Sequence, residues 1–89
     1  MVDISVVIVT YNNEEEIGTC LDSILQEDSP VYEVLVIDNA SRDKTLDSLD
    51  RYKDRVKIVK CEENYGYARG NNIGFEKAKG KYVFLLNPD

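Results

Sequence analysis

Four short apolar runs, each followed by a cluster of polar residues, most limit what this chain can fold into. The runs are 4–9 (ISVVIV), 34–37 (VLVI), 56–59 (VKIV) and 82–86 (YVFLL). The first two are rich in β-branched residues that do not alternate with polar ones, which is typical of strands buried on both faces of a parallel sheet. The third run is more amphipathic, so it is expected nearer an edge of the sheet.

The first segment between these runs has the spacing of an amphipathic helix. Its apolar residues recur along one helix face, and they are Ile17, Cys20, Leu21, Ile24 and Leu25. Asn13 is expected to cap this helix, because an asparagine side chain can accept a hydrogen bond from a free N–H group of the first turn. The glutamates at 14–16 would then occupy that turn, where negative charge is favourable.

Two further helices complete the alternation. Leu46, Leu49 and Tyr52 are spaced three apart and predict a short second helix, and a third is predicted over 68–79 with Gly80 ending it. Strands that alternate with helices predict a parallel sheet with right-handed crossovers. The expected fold is an α/β, Rossmann-like half domain with three layers and four parallel strands in the order 3-2-1-4.

Charge and composition exclude several classes of protein. The net charge is −6 and there is no histidine, and no stripe of lysine and arginine suits a nucleic-acid backbone, so DNA or RNA binding is not expected. Without histidine, chemistry would depend on carboxylates, amides, hydroxyls and a hard cation. Cys20 and Cys61 form no CxxC pair and are expected to be free thiols in a reducing cytoplasm. The first residues have neither the basic leader of a signal peptide nor the length of a membrane span.

Acids and amides follow nearly every predicted strand. In open parallel sheets, ligands bind outside the carboxyl ends of the strands. The residues at that rim are Thr10, Tyr11, Asn12, Asn13, Glu14, Asp38, Asn39, Glu62, Glu63, Asn64, Gly66, Asn87 and Asp89. Each cluster alone is explained as a turn or a solvated helix end, but their shared edge favours a polar binding site.

The turn after the first strand, 10–16 (TYNNEEE), contains no glycine. A dinucleotide-binding fold needs G-x-G-x-x-G there so that the backbone can approach a pyrophosphate, and the chain has no P-loop either. A diphosphate bound here would therefore need a bridging cation. The acid available at the end of the fourth strand is Asp89, and hard divalent cations share oxygen ligands with substrate phosphates.

Four blocks of the sequence resemble, in order and spacing, those of family 2 glycosyltransferases of the GT-A fold. They are 8–25 (IVTYNNEEEIGTCLDSIL), 33–45 (EVLVIDNASRDKT), 63–82 (ENYGYARGNNIGFEKAKGKY) and 83–89 (VFLLNPD). The DNAS, GNNIG and NPD stretches are similar to the rhamnosyltransferase-like branch. The resemblance implies that 1–89 is the N-terminal, nucleotide-sugar-binding portion of an inverting enzyme.

The resemblance also implies roles for single residues. Thr10, Tyr11 and Asn12 would line the base and ribose pocket with Glu14 near it, and Asp38 would accept a hydrogen bond from a pyrimidine, which suits a uridine or thymidine diphosphate sugar. Gly66 would let the backbone pass close to the nucleotide. Further contacts would come from Asn39, Arg69, Asn72 and Asn87, with Arg69 reaching a phosphate.

The metal motif departs from the commonest family pattern. Asn87 stands where the first Asp of the Asp-x-Asp motif is expected, and Asn39 replaces a frequent second Asp after strand two. An amide oxygen can contact ribose or a metal-bound water but brings no charge. Asp89 would then be the main protein anion at a Mg²⁺ or Mn²⁺ ion, and metal affinity without nucleotide should be weak.

The acceptor of such an enzyme would be a saccharide or a lipid-linked hydroxyl. The resemblance puts the catalytic base beyond Asp89, so no catalytic residue is assigned, and the chain is not expected to transfer sugar alone. A cytoplasmic location is expected, and a position at the inner face of the membrane stays open for the full-length protein.

Two other classes and one further property stay open. A non-catalytic nucleotide-binding or regulatory module could use the same half fold. A signalling receiver is disfavoured because Thr10-Tyr11-Asn12, rather than an acidic cluster, follows strand one. Self-association through the edge of strand four or through exposed helix faces is also expected to be possible.

Overall fold

Strands and helices alternate along the chain as predicted. The computed structural model describes residues 3–25 and 32–88. Its elements are β1 (Ile4–Thr10), α1 (Ile17–Ile24), β2 (Tyr32–Asp38), α2 (Thr45–Asp50), β3 (Lys57–Lys60), α3 (Tyr67–Lys77) and β4 (Tyr82–Leu86). The strands form one parallel sheet in the order β3-β2-β1-β4, which confirms the predicted fold and strand order.

The two central strands supply the core on both faces of the sheet. Val6 and Ile8 of β1 lie in a cluster with residues of α1 and α2, whereas Val7 and Val9 lie in a second cluster on the face covered by α3. Successive side chains of a strand point to opposite faces, so a central strand with helices on both sides must be apolar throughout. This explains the absence of alternation in the first two runs.

Helix α3 packs closely on β1, and two of its glycines face the strand. A Cβ atom added at Gly74 would be 2.3 Å from Cγ1 of Val7, and one added at Gly70 would be 2.8 Å from Cγ1 of Val9. Only a residue without a side chain fits at either distance. The two glycines therefore set the height of α3 above the sheet.

Two sequence-based expectations about helix ends are wrong. Helix α1 begins at Ile17, and the side chain of Asn13 accepts hydrogen bonds from Thr10 and from the backbone of Tyr11 instead of capping the helix. Helix α3 ends at Lys77, before Gly80. The glycine is needed for another reason, since a Cβ atom there would lie 2.6 Å from the backbone nitrogen of Ser5.

The buried carboxylate of Glu33 joins several segments at the amino-terminal end of the strands, opposite the polar rim. It accepts hydrogen bonds from the Ser5 hydroxyl (2.5 Å), the Lys57 ammonium (2.6 Å) and the Lys79 backbone N–H (2.9 Å). Burial pushes the pKa of Glu33 up, but these three donors and the charge of Lys57 outweigh burial and lower the pKa from 4.5 to about 2. The carboxylate of Glu33 therefore stays charged except in strong acid.

Cys20 and Cys61 are both free and half-buried. Burial raises the pKa of Cys61, and the negative charge of Asp38 raises it further. The thiol is therefore protonated at neutral pH and is a poor nucleophile. Over residues 3–25 and 32–88, no helix combines the length and the apolar character needed to cross a membrane.

Candidate functional site

The rim at the carboxyl ends of the strands begins with two buried polar residues that lie side by side. Thr10 ends β1 and Asp38 ends β2, and the two are partners in the parallel register. The Asp38 carboxylate accepts hydrogen bonds from the backbone N–H of Ser41 (3.0 Å) and from its hydroxyl (2.7 Å). Ala40 adopts a left-handed conformation, with φ 61°, and this turn brings Ser41 back onto the carboxylate.

The loop after β1 is hydrogen-bonded to the loop after β2. Asn12 has φ 52°, accepts a hydrogen bond on its side-chain oxygen from the backbone of Arg42 (2.8 Å), and donates its own N–H to the Ser41 hydroxyl (2.9 Å). The backbone N–H of Asn13 donates to the Thr45 hydroxyl (2.8 Å). The side chain of Asn12 is therefore committed to holding two loops together.

Asp43 anchors the same pair of loops. Its carboxylate accepts hydrogen bonds from the hydroxyl (2.5 Å) and backbone N–H (2.9 Å) of Thr45 and from the backbone N–H of Glu14 (3.2 Å). Burial raises the pKa of Asp43, but the bonds from Thr45 and Glu14 outweigh burial, so the pKa lies below its ordinary value. The two loops are thus joined through a carboxylate that stays ionised at neutral pH.

Asn39 connects β2 to the turn before α3. Its side-chain oxygen accepts a hydrogen bond from the backbone of Tyr65 (3.3 Å), and its side-chain N–H donates to the carbonyl of Gly66 (3.1 Å). The residue is only 2% exposed. Because one end must accept and the other must donate, an amide is required here, which explains why an asparagine rather than an aspartate follows Asp38.

We expect the Asn39→Asp substitution to lower the free energy of unfolding by roughly 2–3 kcal/mol at neutral pH, because a buried carboxylate oxygen would face the Gly66 carbonyl. Asn64→Asp is the matched control. The Asn64 side chain only accepts, from the backbone N–H of Gly66 (2.8 Å), so a carboxylate serves equally well. Urea unfolding of both variants checks the prediction, and equal losses would contradict it.

Gly66 forms the N-terminal boundary of α3 in a conformation that favours glycine, with φ 89°. No side chain caps the helix, so backbone N–H groups of its first turn are not satisfied by a cap. A Cβ atom at Gly66 would meet nothing within 4 Å. The space beside this glycine is therefore open, and the glycine is needed for its backbone angle.

A cleft of about 320 Å³ opens at this rim between the ends of β1 and β4. This volume lies at the lower end of the range of small-molecule sites. Its lining combines amide side chains with aromatic rings, and it consists of Val9, Tyr11, Asn13, Asn39, Asn64, Gly66, Tyr67, Asn87 and Pro88. Such a lining can hydrogen-bond a polar ligand and stack against a flat one.

The structure brings some of the predicted site residues into this cleft and leaves others outside. Those that line it are Tyr11, Asn39, Gly66 and Asn87. Thr10 and Asp38 are buried at the strand ends, whereas Asn12 and Glu14 are exposed in the loop above. Arg69 and Asn72 are exposed on α3, and the guanidinium of Arg69 lies 4.8 Å from the centre of the Tyr65 ring.

Several lining residues were not predicted to contact a ligand. Asn13 and Asn64 were placed at the polar rim, but as a helix cap and as part of a turn, and nothing in the sequence distinguished Tyr67 from the other tyrosines. Asn71 was missed as well: it is buried in α3, and its side-chain oxygen has no hydrogen-bond partner among the described residues. Its neighbour Asn72, which was predicted to bind, is the exposed one of the pair.

The described residues do not form a cation site by themselves. No group of three acidic, cysteine or histidine side chains comes together within residues 3–25 and 32–88. Asn87 lines the cleft and offers one amide oxygen, and Asp89, the predicted metal ligand, lies outside the described residues.

Comparisons with known proteins give a consistent result. The family model described as "Glycosyl transferase family 2" matches residues 5–89. A putative teichuronic acid biosynthesis glycosyltransferase of Bacillus subtilis, TuaG, is 35% identical over 97% of this chain and 35% of its own length. The poly(ribitol-phosphate) β-N-acetylglucosaminyltransferase TarS of Staphylococcus aureus is 32% identical over the whole chain and 16% of its own length.

Comparison with solved structures also finds glycosyltransferases. Residues 1–349 of S. aureus TarS in complex with UDP-GlcNAc superpose with a TM-score of 0.90 at 32% identity, over 98% of this chain and 26% of that one. A mannosyltransferase from Pyrobaculum calidifontis in complex with GDP-Man and Mn²⁺ gives 0.88 at 30% identity, over 97% and 27%. The chain thus spans about a third or less of the length of these relatives.

Proposed function

The chain belongs to glycosyl transferase family 2, and on this basis we propose that its cleft binds a nucleoside diphosphate sugar of the uridine or thymidine type. The observation that carries the proposal is the pairing of Thr10 with Asp38 at the rim, beside a cleft lined by Tyr11 and Gly66. The buried carboxylate of Asp38 can accept a hydrogen bond from the N–H of a pyrimidine base, and the ring of Tyr11 can stack on that base. The loops that hold Asp38 are joined to each other by hydrogen bonds within the chain.

Asp38 can accept a further hydrogen bond although Ser41 already occupies it. A carboxylate has about four lone-pair positions, and Ser41 uses one on each oxygen. Because Ser41 is itself held by Asn12, the carboxylate has a defined direction. This arrangement favours a base that donates, as uracil and thymine do.

The base of the donor nucleotide is a narrower part of the proposal. The TarS fragment was solved with UDP-GlcNAc and the P. calidifontis mannosyltransferase with GDP-Man, while the GNNIG and NPD stretches are similar to the rhamnosyltransferase-like branch. Asp38 could accept an N–H of guanine as well as that of a pyrimidine, so our preference for a pyrimidine nucleotide rests on the family resemblance and on the TarS fragment solved with UDP-GlcNAc. Competition among UDP, dTDP and GDP tests this choice, and preference for GDP would contradict it.

We further propose that Mg²⁺ or Mn²⁺ joins the diphosphate to Asp89, with Asn87 near it. The relative solved with Mn²⁺ and GDP-Man supports a divalent cation. When bound, such an ion would stabilise negative charge on the departing diphosphate. The described part of the chain offers an amide rather than an acid at 87, so the nucleotide phosphates would supply much of the cation's ligand set.

For the whole protein we propose inverting transfer of the sugar to a hydroxyl of a saccharide or lipid-linked acceptor, in polysaccharide biosynthesis at the cytoplasmic side. The relatives' names, which include teichuronic acid biosynthesis and poly(ribitol-phosphate) modification, support this class. We expect the 89-residue chain to bind donor without transferring sugar. A turnover assay that gives product with a broad acceptor set would contradict this expectation.

The test of the site is the Asp38→Asn substitution. We expect it to weaken uridine and UDP binding alike by about 10–100-fold, because a charged hydrogen bond contributes about 1.5–3 kcal/mol. Isothermal titration calorimetry measures both ligands. Addition of Mn²⁺ should strengthen UDP binding and leave uridine unchanged, since uridine has no phosphate.

Two control variants separate base contact from loop damage. Ser41→Ala removes the hydroxyl that supports Asp38 but keeps the carboxylate, so it should weaken binding less than Asp38→Asn. Glu15→Gln changes an exposed acid in the turn after β1 and should have no effect. Equal losses in all three variants would show that Asp38 has no direct role. Nucleotide binding alone would also fit a regulatory module, which the turnover of a longer protein would distinguish.

A further inference from the structure

Two residues of the rim have backbone conformations that residues with a side chain rarely adopt. Asn12, after β1, has φ 52°, and Ala40, after β2, has φ 61°, whereas every other residue with a positive φ among those the structure describes is glycine. An asparagine is tolerated there because its short side chain can hydrogen-bond locally, but alanine has no such group. Conformations of this kind persist only where surrounding contacts hold them. The turn at Ala40 therefore depends on the hydrogen bonds made around it.

The residue that follows this turn is Ser41, whose hydroxyl lies between two partners. The hydroxyl donates to the Asp38 carboxylate (2.7 Å), and its oxygen accepts the backbone N–H of Asn12 (2.9 Å). A hydroxyl has one proton and two acceptor positions, so the bond from Asn12 leaves the proton directed at Asp38. The direction of the Asp38 carboxylate thus depends on where the loop after β1 places the Asn12 N–H.

The side chain of Asn12 holds the same segment. Its side-chain oxygen accepts the backbone N–H groups of Arg42 (2.8 Å) and Asp43 (3.3 Å). Together with the bond from its own N–H to Ser41, Asn12 therefore contacts three consecutive residues of the loop after β2. One exposed residue thus fixes the position of the segment that supports Asp38.

Asn12 lies beside the cleft rather than in its lining. Its neighbours Tyr11 and Asn13 both line the cleft, and Asn12 is not among the described residues that do so. The residue is also exposed, so shortening its side chain opens no cavity in the core. An effect of Asn12 on a base at Asp38 would therefore pass through the loop that it holds.

We propose that Asn12 is a positioning residue for recognition of the nucleotide base. It acts through Ser41 to hold the Asp38 carboxylate in one direction, and this inference rests on the base contact proposed for Asp38. A hydrogen bond weakens steeply as its angle departs from linearity. Without the Asn12 side chain the carboxylate stays in place but its direction is less defined, so the site should lose selectivity for a base N–H before it loses all affinity.

The test compares uridine with a uridine methylated on its ring nitrogen, which lacks the N–H that Asp38 would accept. Calorimetric titration of the wild type should show about 10–100-fold weaker binding of the methylated ligand, because a hydrogen bond to a charged group is lost. Asn12→Gly keeps the left-handed backbone but removes the side-chain oxygen, and it should reduce this ratio by about threefold or more. Asn12→Asp keeps that oxygen and tolerates the same backbone, so it should keep the wild-type ratio.

Tyr52→Phe is the control for loss of stability alone. It removes a hydroxyl that donates to Asp22 (2.7 Å) and so joins α1 to the segment after α2, away from the cleft, and it should leave the ratio unchanged. A wild type that binds both ligands equally would overturn the base contact of Asp38, and this inference with it. If the wild type discriminates, an unchanged ratio in Asn12→Gly, or the same loss in Asn12→Asp or Tyr52→Phe, would overturn only the role of Asn12.

Discussion

Replacing Gly74 with alanine should destabilise the fold by about 1–2 kcal/mol net. The added Cβ atom would lie 2.3 Å from Cγ1 of Val7, so α3 must move away from the sheet or Val7 must leave its position in the core. Overpacking of this kind costs about 1–3 kcal/mol or more, against about 1 kcal/mol gained from the higher helix propensity of alanine. For a domain of this size, that is a large share of the total stability.

The control is Gly18, which lies in α1 on the opposite face of the sheet from α3. A Cβ atom at Gly18 of α1 would be 3.6 Å from the Tyr52 hydroxyl, an ordinary contact, so Gly18→Ala should be neutral or stabilising. Combining Gly74→Ala with Val7→Ala should cost less than the sum of the two single changes, since the shortened side chain leaves room. Urea unfolding of the wild type and of the four variants measures these differences. Additive losses would contradict the proposed clash.

Glu33→Gln should remove a pH-dependent part of the stability. The folded-state pKa of Glu33 is about 2 against an ordinary value of 4.5, so the charged form is favoured by folding. A depressed carboxyl pKa contributes stability that is fully present above the unfolded-state value and is lost as the pH falls through the folded-state value. The difference corresponds to roughly 3 kcal/mol for this buried side chain.

We therefore expect the difference in unfolding free energy between the wild type and Glu33→Gln to be largest at about pH 6. That advantage should shrink between about pH 5 and pH 2. Unfolding free energies from urea titrations at several pH values measure it. Glu63→Gln changes an exposed acid in the loop after β3 and should leave the pH profile unchanged. A constant gap between wild type and Glu33→Gln across this range would rule out the predicted linkage.

Glu33 lies near the amino-terminal ends of the strands and the polar rim at their carboxyl ends, so the two have different roles. Glu33 brings together β1, β2, β3 and the segment between α3 and β4 through bonds to Ser5, Lys57 and Lys79. This buried network holds the amino-terminal end of the sheet together, away from the rim. A variant at Glu33 should thus lower stability without changing the nucleotide preference of the folded protein.

The sequence by itself determined the order and kind of the elements. Apolar runs without alternation require helices on both faces of the sheet, and the intervening segments have helical spacing, so a parallel sheet was predictable. The meeting of Thr10 and Asp38 at one rim followed from the same reasoning, because parallel strands end at a common edge. These features depend on local periodicity and on chain chirality, which a single sequence shows directly.

Only the tertiary structure decided which hydrogen bonds the asparagines make and why the glycines are needed. Asn39 bonds to Gly66, 27 residues away, and Asn12 to Arg42, 30 residues away. An asparagine side chain has several local options of similar free energy, and a distant loop selects among them. Gly80 likewise reads as a helix stop until Ser5, 75 residues away in sequence, is seen against it. Such contacts arise from close packing, which local sequence does not encode.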